Sequence, residues 1–228
     1  MSVATPSAAG IADDITTETL LRCWLRESGV LPAADADMVY IRLAASGLSI
    51  RARLAHRSPS GWHRFDPPEL VSPNGSASGF IDAGLLAALL VREITAERDR
   101  PAADGTVGLQ RIVESSARIA GHLEARRLAG DPTPAAPFLA AEQASLTGHP
   151  FHPAAQSRQG ASEATMARYS PERAGSFSLH WLAAHPSVLA MPGAASPGWG
   201  GGGGGRPRPA PPRGGRGGGR GRPFWCLF

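Results

Sequence analysis

Lysine is absent: all 23 basic side chains among the 228 residues are arginine. With 28 Gly and 21 Pro beside them, this reads as the codon bias of a GC-rich genome, a mark of ancestry and not of mechanism. Cysteine is almost absent too. Cys23 and Cys226 form no CxxC pair and cannot build a disulfide framework, which points to a reducing compartment. Acidic residues stop at Glu172, whereas six arginines follow Met191. The formal net charge of +4 therefore belongs to the tail, and residues 1–190, with 17 arginines against 19 acids, carry −2. This excludes a basic nucleic-acid patch as a property of the body. Long apolar runs are missing as well. The longest, Ala83–Val91, is far short of the roughly 20 residues that span a bilayer. Asp13, Asp14 and Glu18 precede the first basic residue, Arg22, unlike a secretory or transit peptide. The terminal Cys226-Leu227-Phe228 is one residue short of a prenylation box. The expected address is the cytoplasm, with no membrane partner.

Periodicity supplies the elements. Residues 1–15 are small and polar and read as a flexible N-terminus. Leu20, Leu21, Trp24 and Leu25 share one face of a predicted helix, Thr17–Ser28, stopped by Gly29. Alternating apolar residues predict a hairpin of Met38–Leu43 and Leu48–Leu54, with Ser46-Gly47 in the turn. Trp62–Phe65 reads as a short strand and Pro67–Gly79 as loop. Phe80–Arg98 is a predicted helix with Ile81, Leu85, Leu86, Leu89, Leu90 and Ile94 on a wide apolar face. Val107–Leu128 is another, with Leu109, Ile112, Val113, Ile119 and Leu123 inward and a Glu114–Arg118 pair at i,i+4. Pro132 and Pro134 end it, and Leu139–Leu146 reads as a short helix. Ser176–Ala184 reads as a strand with Phe177, Leu179, Trp181 and Ala183 on one side. Trp24, Trp62 and Trp181 are expected in the core. No repeat is visible. The fold class is mixed α/β (α+β), with helices and short antiparallel strands in residues 16–190.

Residues 148–160, Gly-His-Pro-Phe-His-Pro-Ala-Ala-Gln-Ser-Arg-Gln-Gly, carry the chemistry. Proline after each histidine disfavours helix and favours polyproline-II geometry, in which residues three apart face one way. His149 and His152 have that spacing, and Ser157 and Arg158 follow. Gly148 and Gly160 permit tight turns at both ends. Two imidazoles, a hydroxyl and a guanidinium make a cradle for a polyanion: arginine pairs its donors on phosphate, and imidazole, with an ordinary pKa of about 6.5, can charge on meeting it. A rigid structural turn is the competing reading. Zinc is not expected, because four ligands of suitable spacing are lacking, and no catalytic residue is assigned. No GxSxG or Ser-His-Asp arrangement is present.

The loop resembles the signature G-H-P-x-H-P-x-x-K-x-R-x-G of the IucA/IucC family of siderophore synthetases that act without a nonribosomal peptide synthetase. Glu142-Gln143 before it is similar to a Glu-Gln pair of the family. Tyr169-Ser-Pro-Glu172 and Phe177-Ser-Leu-His-Trp-Leu-Ala183 resemble its Y-x-P-E and F-x-L-x-W-x-A segments. The dense likeness runs from about residue 142 to 184, with a fainter one over Gly61–Phe65 and Leu90–Glu93. The resemblance implies the N-terminal region of an ATP-dependent ligase. Such an enzyme activates a citrate-type carboxylate as an acyl-adenylate for attack by an amine or alcohol. ATP and Mg2+ are the implied cofactors, and the full-length form is expected to self-associate. By position, nucleotide binding is carried onto His149, His152, Ser157 and Arg158. Gln156 stands where the family has lysine, which predicts weaker phosphate binding. The chain is also much shorter than the family's members, so an incomplete site, no ligation by this chain alone and an apolar surface left by truncation are expected.

Residues 191–228 hold 14 Gly and 7 Pro and read as a disordered tail. A frameshift in a GC-rich gene explains this composition. The rival is a stand-alone module whose Arg-Gly stretch, Arg213–Arg222, binds nucleic acid; in either case the cationic tail would bind polyanions nonspecifically. An unproductive product, or a scaffold for a second chain, is the remaining alternative.

Overall fold

The computed structural model describes residues 6–29, 37–98, 101–130 and 136–181. The expected turn at Pro32, Pro132 and Pro134, the end of the last strand, His185 and the whole tail lie outside the described residues.

The first helix, α1, is Ala8–Ser28. It starts well before the expected Thr17, so residues 8–15 are helical and not loose. Ser7 is the reason: its side chain accepts from Gly10 N at 3.1 Å, capping a free amide of the first turn. Gly29, at φ 67°, ends the helix in the left-handed region. Leu20, Leu21 and Leu25 are buried, and so are Thr16, Thr17, Thr19 and Arg22, so α1 is enclosed on more than its apolar face.

The hairpin forms as expected. β1 (Met38–Leu43) pairs antiparallel with β2 (Leu48–His56), with Val39 opposite Ala52 and Ile41 opposite Ile50. All four face the core, as the period of two requires. The other edge of β2 pairs with β4 (Glu69–Val71) at Ser49–Arg51 and with β3 (Arg64–Phe65) near Leu54. Residues 67–79 are therefore not wholly loop: β4 pairs with β5 (Ala77–Phe80) around a turn in which Ser72 O accepts from Gly75 N at 2.9 Å. β5 is exposed throughout, so apolar alternation, the usual strand signal, is missing there. Trp62, placed in the core by sequence, is half exposed.

Helix α2 (Ala83–Glu97) is capped by Asp82, which accepts from Leu85 N at 2.7 Å. Leu86, Ala87 and Leu90 form its buried stripe; Leu85 and Ile94 lie at the surface, so the apolar face is narrower than expected. Helix α3 (Ala102–Ala129) buries Ile112 and Ile119 and leaves Val113 exposed. α1, α2 and α3 pack together, and the buried leucines of α1 and α2 with Ile112 of α3 share one core with Val39, Ile41, Leu43, Ile50 and Leu54. Short helices α4 (Pro137–Ala144) and α5 (Glu163–Tyr169) follow, then a 3₁₀ turn, Pro171–Arg173. α5 and the 3₁₀ turn, both packed near the loop, went unread in the sequence. The compact unit closes at Gly175. Residues 176–181, expected to begin a strand, hold none, and Trp181 is 87% exposed. The mixed α+β class stands, and no helix among the described residues is long and apolar enough to cross a membrane.

Candidate functional site

The loop over residues 148–160 is built from hydrogen-bonded turns, not from a polyproline-II run. His152 N donates to His149 O at 3.1 Å, and Ser157 N donates to Ala154 O at 3.1 Å. Gly148 and Gly160 both have positive φ, 73° and 76°, as the bracketing glycines predicted. Gly148 has a second reason: a Cβ there would lie 2.6 Å from Ala155 Cβ, so the loop closes on itself through that contact.

Each histidine bonds its own backbone. His149 Nδ1 accepts from Phe151 N at 3.2 Å, and His152 Nδ1 accepts from Ala154 N at 3.1 Å. A nitrogen that accepts carries no hydrogen, so the ring hydrogen of each sits on Nε2. Both rings are exposed, and each presents one N–H donor away from its backbone bond. Proline supplies part of the reason for this arrangement, since it fixes φ directly after each histidine. His63 and His122 use Nδ1 in the same way, toward Ser58 N at 3.1 Å and Arg173 Nε at 3.2 Å, but both are buried. Burial, chiefly, holds both of these imidazoles below their ordinary pKa; nearby arginines add to it, and at His122 the Glu172 carboxylate works against it.

Two buried arginines hold the loop by its carbonyls. Arg22 of α1 is 4% exposed. Its Nε donates to Pro150 O at 3.2 Å and its Nη1 to His63 O at 3.1 Å, while Glu18, four residues earlier, pairs with it at 3.2 Å. Arg118 of α3 is 6% exposed. It donates to Gln156 O at 3.3 Å, Arg158 O at 3.4 Å and Ala161 O at 3.0 Å. Glu114, again four residues earlier, pairs with it at 2.7 Å, as the spacing predicted. Arginine suits this task because its planar fork offers five donors and stays charged when buried. Ser115 adds a bond from Gln156 N at 2.9 Å, and Arg111 one to Gln159 at 3.1 Å. Arg111, Ser115, Arg118 and His122 form a polar stripe along α3 at helical spacing. The sequence reading missed that stripe, though its period of three and four was there to be found.

Of the four expected binding residues, His149, His152 and Arg158 are exposed and Ser157 is half-buried. Arg158 Nη1 donates to Ala155 O at 2.8 Å and Ser157 O at 3.2 Å, and its Nη2 lies 3.8 Å from Glu172 Oε1. Gln156 is the departure from expectation. It is 1% exposed and turned inward, its Nε2 donating to Ser145 O at 3.3 Å, Leu146 O at 3.2 Å and Glu172 Oε1 at 3.0 Å. The side chain at 156 therefore faces Glu172 and not the exposed side of the loop. Phe151 lies under Arg26, 5.1 Å from the guanidinium carbon to the ring centre, and lines an apolar cavity of about 280 Å³ with Leu20, Cys23 and Trp24. Burial pushes the Cys23 thiol up to about 11, so it is no candidate nucleophile. The exposed Nε2–H groups of His149 and His152 and the half-exposed Arg158 guanidinium are hydrogen-bond donors of the kind that pair with phosphate oxygens. No group of three or more His, Cys, Asp or Glu among the described residues could hold a metal ion.

The sequence pattern of the IucA / IucC family matches residues 137–199. The chain is 32% identical over 194 residues to the rhizobactin siderophore biosynthesis protein RhbC of Rhizobium meliloti, covering 78% of this chain and 31% of that protein. It is 31% identical to the N(2)-citryl-N(6)-acetyl-N(6)-hydroxylysine synthase of Escherichia coli, again over 78% of this chain and 31% of the other. Among solved structures it is similar to ATP-bound aerobactin synthetase IucA of Klebsiella pneumoniae, with a TM-score of 0.62 and 31% identity, covering 72% of this chain and 30% of that one. The chain thus spans about 31% of the length of the curated relatives it matches.

Proposed function

Because this chain belongs to the IucA/IucC family, whose N-terminal portion it carries, we propose that it serves siderophore biosynthesis as part of an ATP-dependent ligase joining a citrate-type carboxylate to an amine or hydroxyl. The loop 148–160 would hold the nucleotide phosphates. The observation that carries this reading is the exposed donor set of His149, His152 and Arg158, on a loop fixed from behind by two buried arginines. Preorganised donors bind developing negative charge without reorganising, which is why a clamped loop suits the task. The relatives support the chemistry: one is a citryl synthase, and the solved neighbour is ATP-bound.

The work of the residues divides simply. His149 and His152 would each give one Nε2–H to phosphate oxygens. Arg158 would give charge, and Ser157 a hydroxyl from the same turn. ATP held there would supply the activation of the carboxylate, with Mg2+ as the cation the family resemblance implies.

The test is ATP binding to the purified chain, measured by isothermal titration calorimetry with Mg2+ present. Binding should fall about tenfold or more in Arg158→Ala and in the double variant His149→Ala/His152→Ala, with the melting temperature little changed in the double variant and lowered in Arg158→Ala, which takes from Glu172 its ion pair. Equal affinity in both variants would overturn the assignment. Incubating the chain with ATP and citrate and assaying pyrophosphate release would separately report whether these residues alone reach activation.

A further inference from the structure

The candidate phosphate ligand Arg158 has a second claimant inside the fold. Glu172 is buried, and among the described residues its one ion pair is with Arg158, at 3.8 Å. Its Oε2 has no hydrogen-bond partner. Its hydrogen bond is with Gln156 Nε2 at 3.0 Å, a neutral amide, and it also faces the buried His122 imidazole, whose pKa burial lowers. That amide is poorly matched to its place. Three acceptors, Ser145 O, Leu146 O and Glu172 Oε1, surround a nitrogen with only two hydrogens, while Gln156 Oε1 is buried with no donor. Three acceptors, one of them a carboxylate, are what an ammonium group satisfies and an amide does not. A buried carboxylate without a nearby cation is costly, so Glu172 draws on the charge of Arg158.

We propose that Glu172 and a bound polyphosphate compete for Arg158, because the neutral Gln156 leaves Glu172 without a cation of its own. The inference rests on the nucleotide reading of the loop and adds a regulator to it. When Arg158 turns to phosphate, Glu172 loses its ion pair, and the ligand's affinity is reduced by that loss. A cation at position 156 would pair with Glu172 permanently and release Arg158.

Two variants of the full chain test this, Gln156→Lys and Glu172→Gln. Each raises the net charge by one, so Glu124→Gln, on α3 and half exposed, serves as the charge control. The first readout needs no ligand: the rate of phenylglyoxal modification at Arg158, followed by peptide mass mapping and compared with Arg53. Arg158 should react about fivefold faster in either folded variant than in the wild type or the control. An unchanged rate in the variants that fold overturns the inference, whatever happens with ligand. The second readout is the Kd for inorganic tripolyphosphate, expected to fall about fivefold in Gln156→Lys and to stay within twofold in the control. If tripolyphosphate neither binds nor protects Arg158 in any of the proteins, the nucleotide reading itself fails and the competition fails with it. If it binds with equal affinity to wild type and Gln156→Lys, the nucleotide reading stands and the competition is refuted.

Discussion

Arg22 and Arg118 are the same device set on two helices, with different reach. Each is buried, each pairs with a glutamate four residues earlier, and each donates to at least one carbonyl of the loop, Arg118 also reaching Glu163 at 3.3 Å. Arg22 meets the loop at Pro150 alone and uses its other donors on His63 O and Thr19. Arg118 meets it at Gln156, Arg158 and Ala161. The histidine half of the loop is thus held by one helix bond and its own imidazoles, and the Gln156–Ala161 half by several bonds to α3. The lesson is that a loop can be rigid in two ways, by external donors or by local side chain to backbone bonds.

Removing the stronger arm is the largest way to break this comparison. Arg118→Met leaves Glu114 without its partner and three carbonyls without a donor, and should cost about 3–5 kcal/mol in chemical denaturation. Arg22→Met should cost somewhat less, about 3 kcal/mol, because one loop carbonyl depends on it. A reversed order would show that the count of loop carbonyls does not set the strength of the arm. Gly148→Ala comes next. It combines a positive φ with a Cβ 2.6 Å from Ala155, so a loss of about 1–3 kcal/mol is expected from thermal unfolding. The double variant Gly148→Ala/Ala155→Gly should recover part of it by relieving the contact.

Acid tests both arms at once and should have the smallest effect. His63 stands beside Arg22, and His122 lies one helical turn past Arg118. Both have folded-state pKa values below the ordinary histidine value. Between the folded and the unfolded values the unfolded chain binds more protons, so stability rises with pH there. The contribution is complete above about pH 6.5 and is lost as pH falls through the lowered values. The melting temperature should therefore drop from pH 7.5 to 5.5. In His122→Gln the drop should be shallower, though the starting value is lower. An unaltered pH slope in that variant would assign the effect to His63 instead.

The sequence made the core legible because periodicity encodes it directly. Val39, Ile41 and Leu43 alternate, and Leu86 and Leu90 recur at helical spacing, so the hairpin and α2 could be read from them. The loop's bracketing glycines were legible locally, but the polyproline-II spacing expected to align its histidines gave way to hydrogen-bonded turns. What could not be read depends on partners distant in the chain. β5 has no apolar alternation, and only its pairing with β4 makes it a strand. Gln156 looked like a lost phosphate contact because it stands where the resembling family carries lysine; that it turns inward to Glu172 follows from how the 3₁₀ turn packs. Arg22 resembled any helix-surface arginine until the loop closed over it. Ser7 lay in plain view as a cap, but the helix it starts carries only one large apolar residue, Ile11, in its first two turns.

The imidazole bonds have one further consequence. In His149 and His152 the lone pair of Nδ1 is committed to the backbone two residues ahead, and Nε2 carries the hydrogen. Rings in that state can donate but have no free lone pair, so neither is equipped to act as a general base. The same commitment makes these histidines poor nucleophiles in spite of their exposure: diethyl pyrocarbonate, which attacks through the lone pair, should modify them more slowly than it modifies a histidine in an unstructured peptide.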